Sequence, residues 1–209
     1  MLDRLHSIAI TNRHLCGGME PMLVRAEAIA GAGVGAIMLR EKDLTPRELF
    51  AVARSLAVIC QKGGTMLIVN GSVEVALAAG VEGVQLGFDA LPADAARRVA
   101  GGRLLIGVSA HSLVDVQQAH AGGADYATIS PVFPPSSKAA SGPAMGVERL
   151  HAIARESPLP LVALGGIEAA NARACIEAGA CGVAAIGAYW SAADPAAAAR
   201  AMVEAVRRG

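Results

Sequence analysis

The chain has 209 residues, of which 54% are hydrophobic and 17% are charged, and its formal net charge is zero. A neutral chain argues against a nucleic-acid partner attracted by bulk charge, and one Trp, two Tyr and three Phe offer no base-stacking surface. No apolar run is long enough to span a membrane, so we expect no membrane partner either.

The cysteines give no sign of a metal site. Cys16, Cys60, Cys175 and Cys181 lack the paired spacing of metal ligands, and no leader with an apolar segment precedes the first predicted strand. We therefore expect a cytoplasmic protein whose thiols are reduced and buried.

Eight short apolar runs are predicted to form strands. Each is apolar at nearly every position, which is typical of a strand buried on both faces of a parallel sheet. In chain order they lie at His6–Thr11, Ala36–Arg40, Met66–Asn70, Val84–Leu86, Leu104–Val108, Tyr126–Ile129, Leu161–Leu164 and Gly182–Ile186.

Segments with helical spacing separate the strands. The segment after the second strand begins with Thr45 as the cap, Pro46 at the first helical position and Glu48 three residues after the cap. Further helices are predicted at Pro92–Ala100, Ser112–Ala121, Gly146–Arg155, Glu168–Ala178 and Asp194–Arg208.

This alternation of strands and helices predicts an α/β fold with a closed sheet. The number of strands and the chain length favour a single (β/α)8 TIM barrel over residues 1–209. The alternative is an open, doubly wound sheet, but no Gly-x-Gly-x-x-Gly follows the first strand to support its dinucleotide-binding version. We expect the active site at the C-terminal ends of the strands.

A long irregular segment interrupts the alternation at Ser130–Gly142. Its prolines, serines and glycine favour a loop, and a loop of this length in a compact fold is commonly a lid or a binding loop. Lys138 within it could cover an anion or extend into solvent.

Two strand ends carry side chains suited to anions. Arg40 and Lys42 flank Glu41 directly after the second strand, where they could bind a phosphate or carboxylate or could form a salt bridge at the rim. Asn70 ends the third strand, where it could contact a ligand or belong to an ordinary turn.

A hydroxyl and an imidazole follow the fifth strand, at Ser109 and His111. Histidine is the natural proton shuttle near neutral pH, so His111 is the candidate general acid and base. A serine hydrolase is not indicated, because the chain contains no Gly-x-Ser-x-Gly turn.

Small residues follow the seventh and eighth strands. Gly166, Gly187 and Ala188 would present backbone amides near helix N-termini, which is the arrangement of the phosphate site in many barrels. Two ordinary glycine turns are the alternative.

These motifs, taken in order, resemble the thiamin phosphate synthase and thiazole tautomerase superfamily. The resemblance covers nearly the whole chain and implies a barrel enzyme that handles the phosphorylated thiazole half of thiamin. It rests on Met38-Leu39-Arg40-Glu41-Lys42, Asn70-Gly71, Gly83-Val84-Gln85-Leu86-Gly87, Ser109-Ala110-His111-Ser112, Ser130-Pro131-Val132-Phe133-Pro134 with Lys138, Ala163-Leu164-Gly165-Gly166-Ile167 and Ala178-Gly179-Ala180-Cys181-Gly182-Val183-Ala184.

The chain departs from the synthase pattern that the resemblance implies. That pattern has Gln where Met38 stands, a metal-binding Asp where Gly71 stands, and threonines at Pro135 and Ser137. Asp89 matches the second metal carboxylate. Glycine has no side chain to bind Mg²⁺, so these departures weigh against a Mg²⁺-dependent synthase.

We therefore expect the tautomerase branch, an isomerase that aromatises carboxythiazole phosphate without a metal or other cofactor. His111 would move the proton, Arg40 and Lys42 would hold the carboxylate, and the other contacts would come from Asn70, Ser109, Lys138, Gly166, Gly187 and Ala188. Two alternatives stay open: a synthase that uses Mg²⁺, and a non-catalytic barrel that binds a thiamin intermediate. A homo-oligomer is also expected, because exposed barrel helices often pair.

Overall fold

The structure, a computed structural model, describes residues 1–134 and 143–207. Eight parallel strands pair in sequence order, and the last pairs with the first, so the sheet is a closed barrel. This arrangement confirms the predicted (β/α)8 TIM barrel. The strands are β1 (Ser7–Ile10), β2 (Ala36–Leu39), β3 (Met66–Asn70), β4 (Gly83–Leu86), β5 (Leu105–Ala110), β6 (Tyr126–Ile129), β7 (Leu161–Leu164) and β8 (Gly182–Ala185).

Helices surround the barrel in the described part of the chain. They are α1 (Met19–Gly31), α2 (Pro46–Gly63), α3 (Val73–Ala79), α4 (Ala93–Ala100), α5 (Leu113–Ala121), α6 (Gly146–Glu156), α7 (Ala169–Glu177), α8 (Gly187–Trp190) and α9 (Pro195–Val206). Two 3-10 helices, Leu2–His6 and Arg13–Cys16, lie near the start of the chain.

The predicted capping box at the start of α2 is confirmed. The Thr45 hydroxyl accepts a hydrogen bond from the Glu48 amide, and the Glu48 carboxylate accepts one from the Thr45 amide at 2.8 Å. This reciprocal pair ends the preceding loop at a fixed place, so the segment between β2 and α2 is short and well anchored.

The core has two layers because both faces of the sheet are buried. Inside the barrel, Ile8, Met38, Ile68 and Tyr126 pack with their neighbours. Outside it, a larger apolar layer joins the sheet to the surrounding helices.

The first 3-10 helix packs against the N-terminal end of the barrel. Leu5 is fully buried there and belongs to the interior cluster. Gly35 and Gly182 allow this approach, because a Cβ atom at either position would overlap the carbonyl oxygen of Arg4 or Leu5, respectively. Ligand access is therefore from the C-terminal end of the strands.

No helix within the two described ranges is long and apolar enough to cross a lipid bilayer. The expected lid or binding loop at Ser130–Gly142 lies partly outside the described residues, which end at Pro134 and begin again at Pro143. A cytoplasmic location and a homo-oligomer stay predictions.

Candidate active site

A cavity of about 550 Å³ opens at the C-terminal ends of the strands. This volume lies in the range of small-molecule sites. Five of the predicted site residues line the cavity together: Arg40, Lys42, Asn70, Ser109 and His111. The strand ends therefore gather a guanidinium, an ammonium, an amide, a hydroxyl and an imidazole around one space.

The predicted phosphate-binding amides do not line this cavity as the structure describes it. The wall reaches Leu164 and Ile186, which precede Gly166 and Gly187 in the chain. Gly166 lies against the Pro134 carbonyl and Phe133, at the edge of the described part of the loop. Lys138 lies outside the described residues.

The two cations beside Glu41 are not neutralised within the described residues. No carboxylate there lies within ion-pair distance of Arg40 or Lys42. Glu41 instead pairs with Arg13, at 2.9 Å between Nη1 and Oε2. Both cations are thus available to an anion in the cavity.

The imidazole of His111 has a defined tautomer. Its Nδ1 lies 2.6 Å from the carbonyl oxygen of Ser130, and a carbonyl only accepts, so Nδ1 carries the proton in the neutral ring. Nε2 is then an acceptor. The Asp115 carboxylate fixes the backbone at this point by accepting a hydrogen bond from the His111 amide at 2.8 Å.

A buried polar network in the cavity wall joins the predicted site residue Ser109 to two residues that were not predicted for the site, Gln85 and Thr128. The Gln85 amide nitrogen donates to the Ser109 hydroxyl at 3.2 Å and to the Thr128 hydroxyl at 3.1 Å. Each hydroxyl that accepts from Gln85 keeps its own proton for a ligand. The signal was present in the sequence, because Gln85 and Thr128 are polar residues inside strands that are otherwise apolar.

Gln85 Oε1 is also buried, and it has no hydrogen-bond partner among the residues that the structure describes. Gly107 makes room for it, since a Cβ atom there would overlap both this oxygen and the Tyr126 ring. Gly107 therefore allows the amide and the phenol to share the interior of the barrel.

The carboxylates of the cavity have different surroundings. Glu41 is held by Arg13, whereas Asp89 has no ion-pair partner among the described residues. Gly71 contributes no side-chain ligand. Asp89 is thus the carboxylate in this wall that could contact a cation bound to a ligand.

A second group of possible metal ligands lies beside the cavity. The ligand atoms of His14, Glu41 and Asp43 lie within 4.8 Å of one another. Arg13 donates to both carboxylates, at 2.9 Å to Glu41 and 2.7 Å to Asp43. Because a guanidinium already neutralises these oxygens, the cluster is an ion-pair network.

Comparison with known proteins assigns the family. A model described as thiamine monophosphate synthase matches residues 7–189. The chain belongs to this family. The family part of the resemblance seen in the sequence is therefore confirmed.

Relatives and solved structures agree with this assignment. A putative thiamine-phosphate synthase of Geobacter sulfurreducens is 44% identical over 93% of this chain and 91% of its own length. A thiamine-phosphate synthase of Roseiflexus castenholzii is 40% identical over 93% of this chain and 85% of its own length. The solved thiamine phosphate pyrophosphorylase of Pyrococcus furiosus has a TM-score of 0.88 and 31% identity, covering 98% of this chain and 96% of its own.

The expected tautomerase activity is wrong. The relatives are named thiamine-phosphate synthase, which is a transferase and not an isomerase. The departures at Met38 and Gly71 are two single positions, whereas the identity to these relatives extends over 93% of the chain. A glycine at position 71 removes one possible metal ligand, but it does not change the charges of Arg40 and Lys42, which have no ion-pair partner within the described residues. An imidazole beside an anion-binding cavity suits either chemistry, so His111 does not separate them.

Proposed function

We propose that the chain is a thiamin phosphate synthase, a transferase that couples a pyrimidine pyrophosphate to thiazole phosphate. The observation that carries this proposal is the pair of cations on one wall of the cavity, Arg40 and Lys42, which have no ion-pair partner among the described residues. The names of the relatives support the same substrates.

The reaction exchanges one bond for another. The C–O bond between the pyrimidine methylene and the pyrophosphate breaks, and its electron pair leaves with the pyrophosphate. The ring nitrogen of the thiazole then supplies the electron pair for the new C–N bond. Negative charge grows on the leaving oxygen, and Arg40 and Lys42 would stabilise it from fixed positions.

Magnesium is the ion that the synthase pattern implies. Mg²⁺ is usually held by one or two carboxylates together with substrate phosphates. A site with one carboxylate, completed by substrate phosphates, fits an ion of that kind: Asp89 would supply the carboxylate, although Gly71 supplies no second one. The ion would supply further positive charge for the leaving pyrophosphate.

The remaining side chains would orient the heterocycles. Nε2 of neutral His111 would accept a hydrogen bond from the pyrimidine amino group, while Ser109 and Asn70 would provide further hydrogen bonds to the substrates. The amides of Gly187 and Ala188 begin α8, where the first backbone N–H groups have no partner within the helix. With Gly166 and Lys138, they would hold the phosphate of the thiazole.

Substitution of the two cations tests this proposal. Arg40→Gln and Lys42→Gln are each expected to reduce kcat/KM by about tenfold to a hundredfold, because each removes a charge-assisted hydrogen bond of about 1.5–3 kcal/mol. Formation of thiamin phosphate is measured with both substrates and Mg²⁺. Arg98→Gln is the matched control, since Arg98 pairs with Asp94 on the surface of α4. Equal rates in all three variants would refute the assignment of the anion site.

A further inference from the structure

Glu41 is a carboxylate in the wall of a cavity whose proposed ligands are anions. It stands between Arg40 and Lys42 in the chain, it lines the same cavity, and its side chain is only 2% exposed. A buried carboxylate is stable only when it is paired and hydrogen-bonded. The two neighbouring cations are the obvious partners, yet neither is used.

Arg13 satisfies Glu41 instead, from the loop after β1. The Arg13 amide donates to Oε1 at 3.0 Å, and its Nη1 donates to Oε2 at 2.9 Å. Both oxygens of the carboxylate are therefore occupied by one residue. Glu41 therefore does not compete with a ligand for Arg40 or Lys42.

Asp43 holds the Arg13 side chain in this orientation. Nη1 and Nη2 donate to Oδ1 and Oδ2 at 2.7 and 2.5 Å, a bidentate pair. A guanidinium can bridge two carboxylates in this way, whereas a lysine ammonium is a single point of charge.

A second contact ties the loops after β1 and β2 together. The amide of Arg40 donates to the Thr11 hydroxyl at 2.9 Å. The chain on both sides of Glu41 is thus tied to the loop after β1: the Arg40 amide contacts Thr11, and the Asp43 side chain contacts Arg13.

We propose that Arg13 is a positioning residue that binds Glu41 and thereby keeps Arg40 and Lys42 free for the diphosphate group of a ligand. Without Arg13, the Glu41 carboxylate would pair with one of these cations and compete with the incoming anion. The identity of that anion rests on the proposed function, but the competition itself depends only on charge and geometry.

The test uses inorganic pyrophosphate as the probe, with binding to the full-length protein measured by titration calorimetry at fixed salt and pH. Arg13→Gln is expected to weaken pyrophosphate binding at least tenfold. Adding Glu41→Gln to that variant should restore the dissociation constant to within about threefold of its original value, because the competing charge is gone. A purely structural role for Arg13 predicts no recovery.

A second pair keeps the test decisive if Arg13→Gln fails to fold. Arg13→Lys retains a cation beside Glu41 but cannot bridge both carboxylates, so a weaker loss of about threefold is expected, again recovered by Glu41→Gln. Arg98→Gln serves as the control, and thermal unfolding checks each variant. Unchanged binding in the folded Arg13 variants, or no recovery on adding Glu41→Gln, overturns the proposal.

These measurements are independent of turnover. If Arg13→Gln weakens pyrophosphate binding, and Glu41→Gln restores it, in a protein that forms no thiamin phosphate, the proposed function alone is refuted. If the protein has synthase activity and Arg13→Gln leaves the KM for the pyrimidine pyrophosphate unchanged, the role of Arg13 alone is refuted.

Discussion

The ring of Phe88 stacks on the imidazole of His111, with centroids 4.8 Å apart and planes inclined by 16°. Phe88 lines the cavity although it is 65% exposed. The Ser130 carbonyl holds the edge of the same imidazole, so His111 is restrained both in its plane and across its face. An imidazole held in this way presents Nε2 to a substrate in one direction.

Replacing Phe88 should therefore loosen His111. Stacked aromatic pairs contribute about 0.5–1.5 kcal/mol, so Phe88→Leu is expected to lower kcat/KM of the synthase reaction by about threefold to tenfold. Phe88→Tyr keeps the stack and should retain most of the activity. The same steady-state assay measures both variants, and equal activity of the Leu and Tyr variants would show that the stack does not position His111.

The Gln85 network predicts a pH-dependent loss of stability. Gln85 is 2% exposed, so Gln85→Glu buries a group that ionises at neutral pH, at a cost of about 1–3 kcal/mol. Burial raises the pKa of such a carboxyl, and the folded state then favours its neutral form. The penalty relative to the original chain should be largest at pH 7 and smaller at pH 4.5, as measured by urea unfolding. An equal penalty at both pH values would contradict burial of this position.

Contacts at the N-terminal end of the barrel predict a steric effect. A Cβ atom at Gly182 would overlap the Leu5 carbonyl oxygen, so Gly182→Ala should destabilise the fold by about 3 kcal/mol or more. Gly31 ends α1, and a Cβ atom there would lie more than 4 Å from every described heavy atom outside its chain neighbours and the backbone of its own helix. Gly31→Ala is therefore the matched control and should change stability by less than about 1 kcal/mol in either direction. Chemical denaturation compares the two, and similar free energies of unfolding would be inconsistent with this packing.

The ion-pair network predicts the titration of Asp43. The Arg13 guanidinium lowers the pKa of Asp43 from 3.8 to about 2, chiefly through its hydrogen bond. A lowered pKa means that the pair is intact above the ordinary value near 4 and is lost as the pH falls through about 2. Carboxyl-carbon NMR should show this midpoint, and Arg13→Gln should return it toward 3.8.

Asp94 provides the internal reference in the same spectra. Arg98 lowers its pKa through a separate hydrogen bond, so its titration should not respond to Arg13→Gln. If Arg13→Gln also leaves the titration midpoint of Asp43 unchanged, the contact between Asp43 and Arg13 is contradicted.

Local patterns in the sequence were sufficient for the barrel and for part of the site. Met66–Asn70 and Tyr126–Ile129 are strands with the predicted bounds, because buried parallel strands are apolar at nearly every position and end abruptly at polar or small residues. Arg40 and His111 line one cavity, which is what the convergence of the strand ends in a barrel leads us to expect.

The remaining features depend on contacts that no local pattern contains. Arg13 and Glu41 are 28 residues apart, and their pairing follows from the adjacency of β1 and β2. Gly71 is one possible ligand position, and a change at one such position does not reveal which charges around it lack an ion-pair partner.

The most direct test of the central claim is to mix the pyrimidine pyrophosphate, thiazole phosphate and Mg²⁺ with the purified chain and to quantify thiamin phosphate and pyrophosphate together. The account predicts equal amounts of the two products, and neither product when thiazole phosphate is left out. Absence of thiamin phosphate, or release of pyrophosphate that does not require thiazole phosphate, would contradict it.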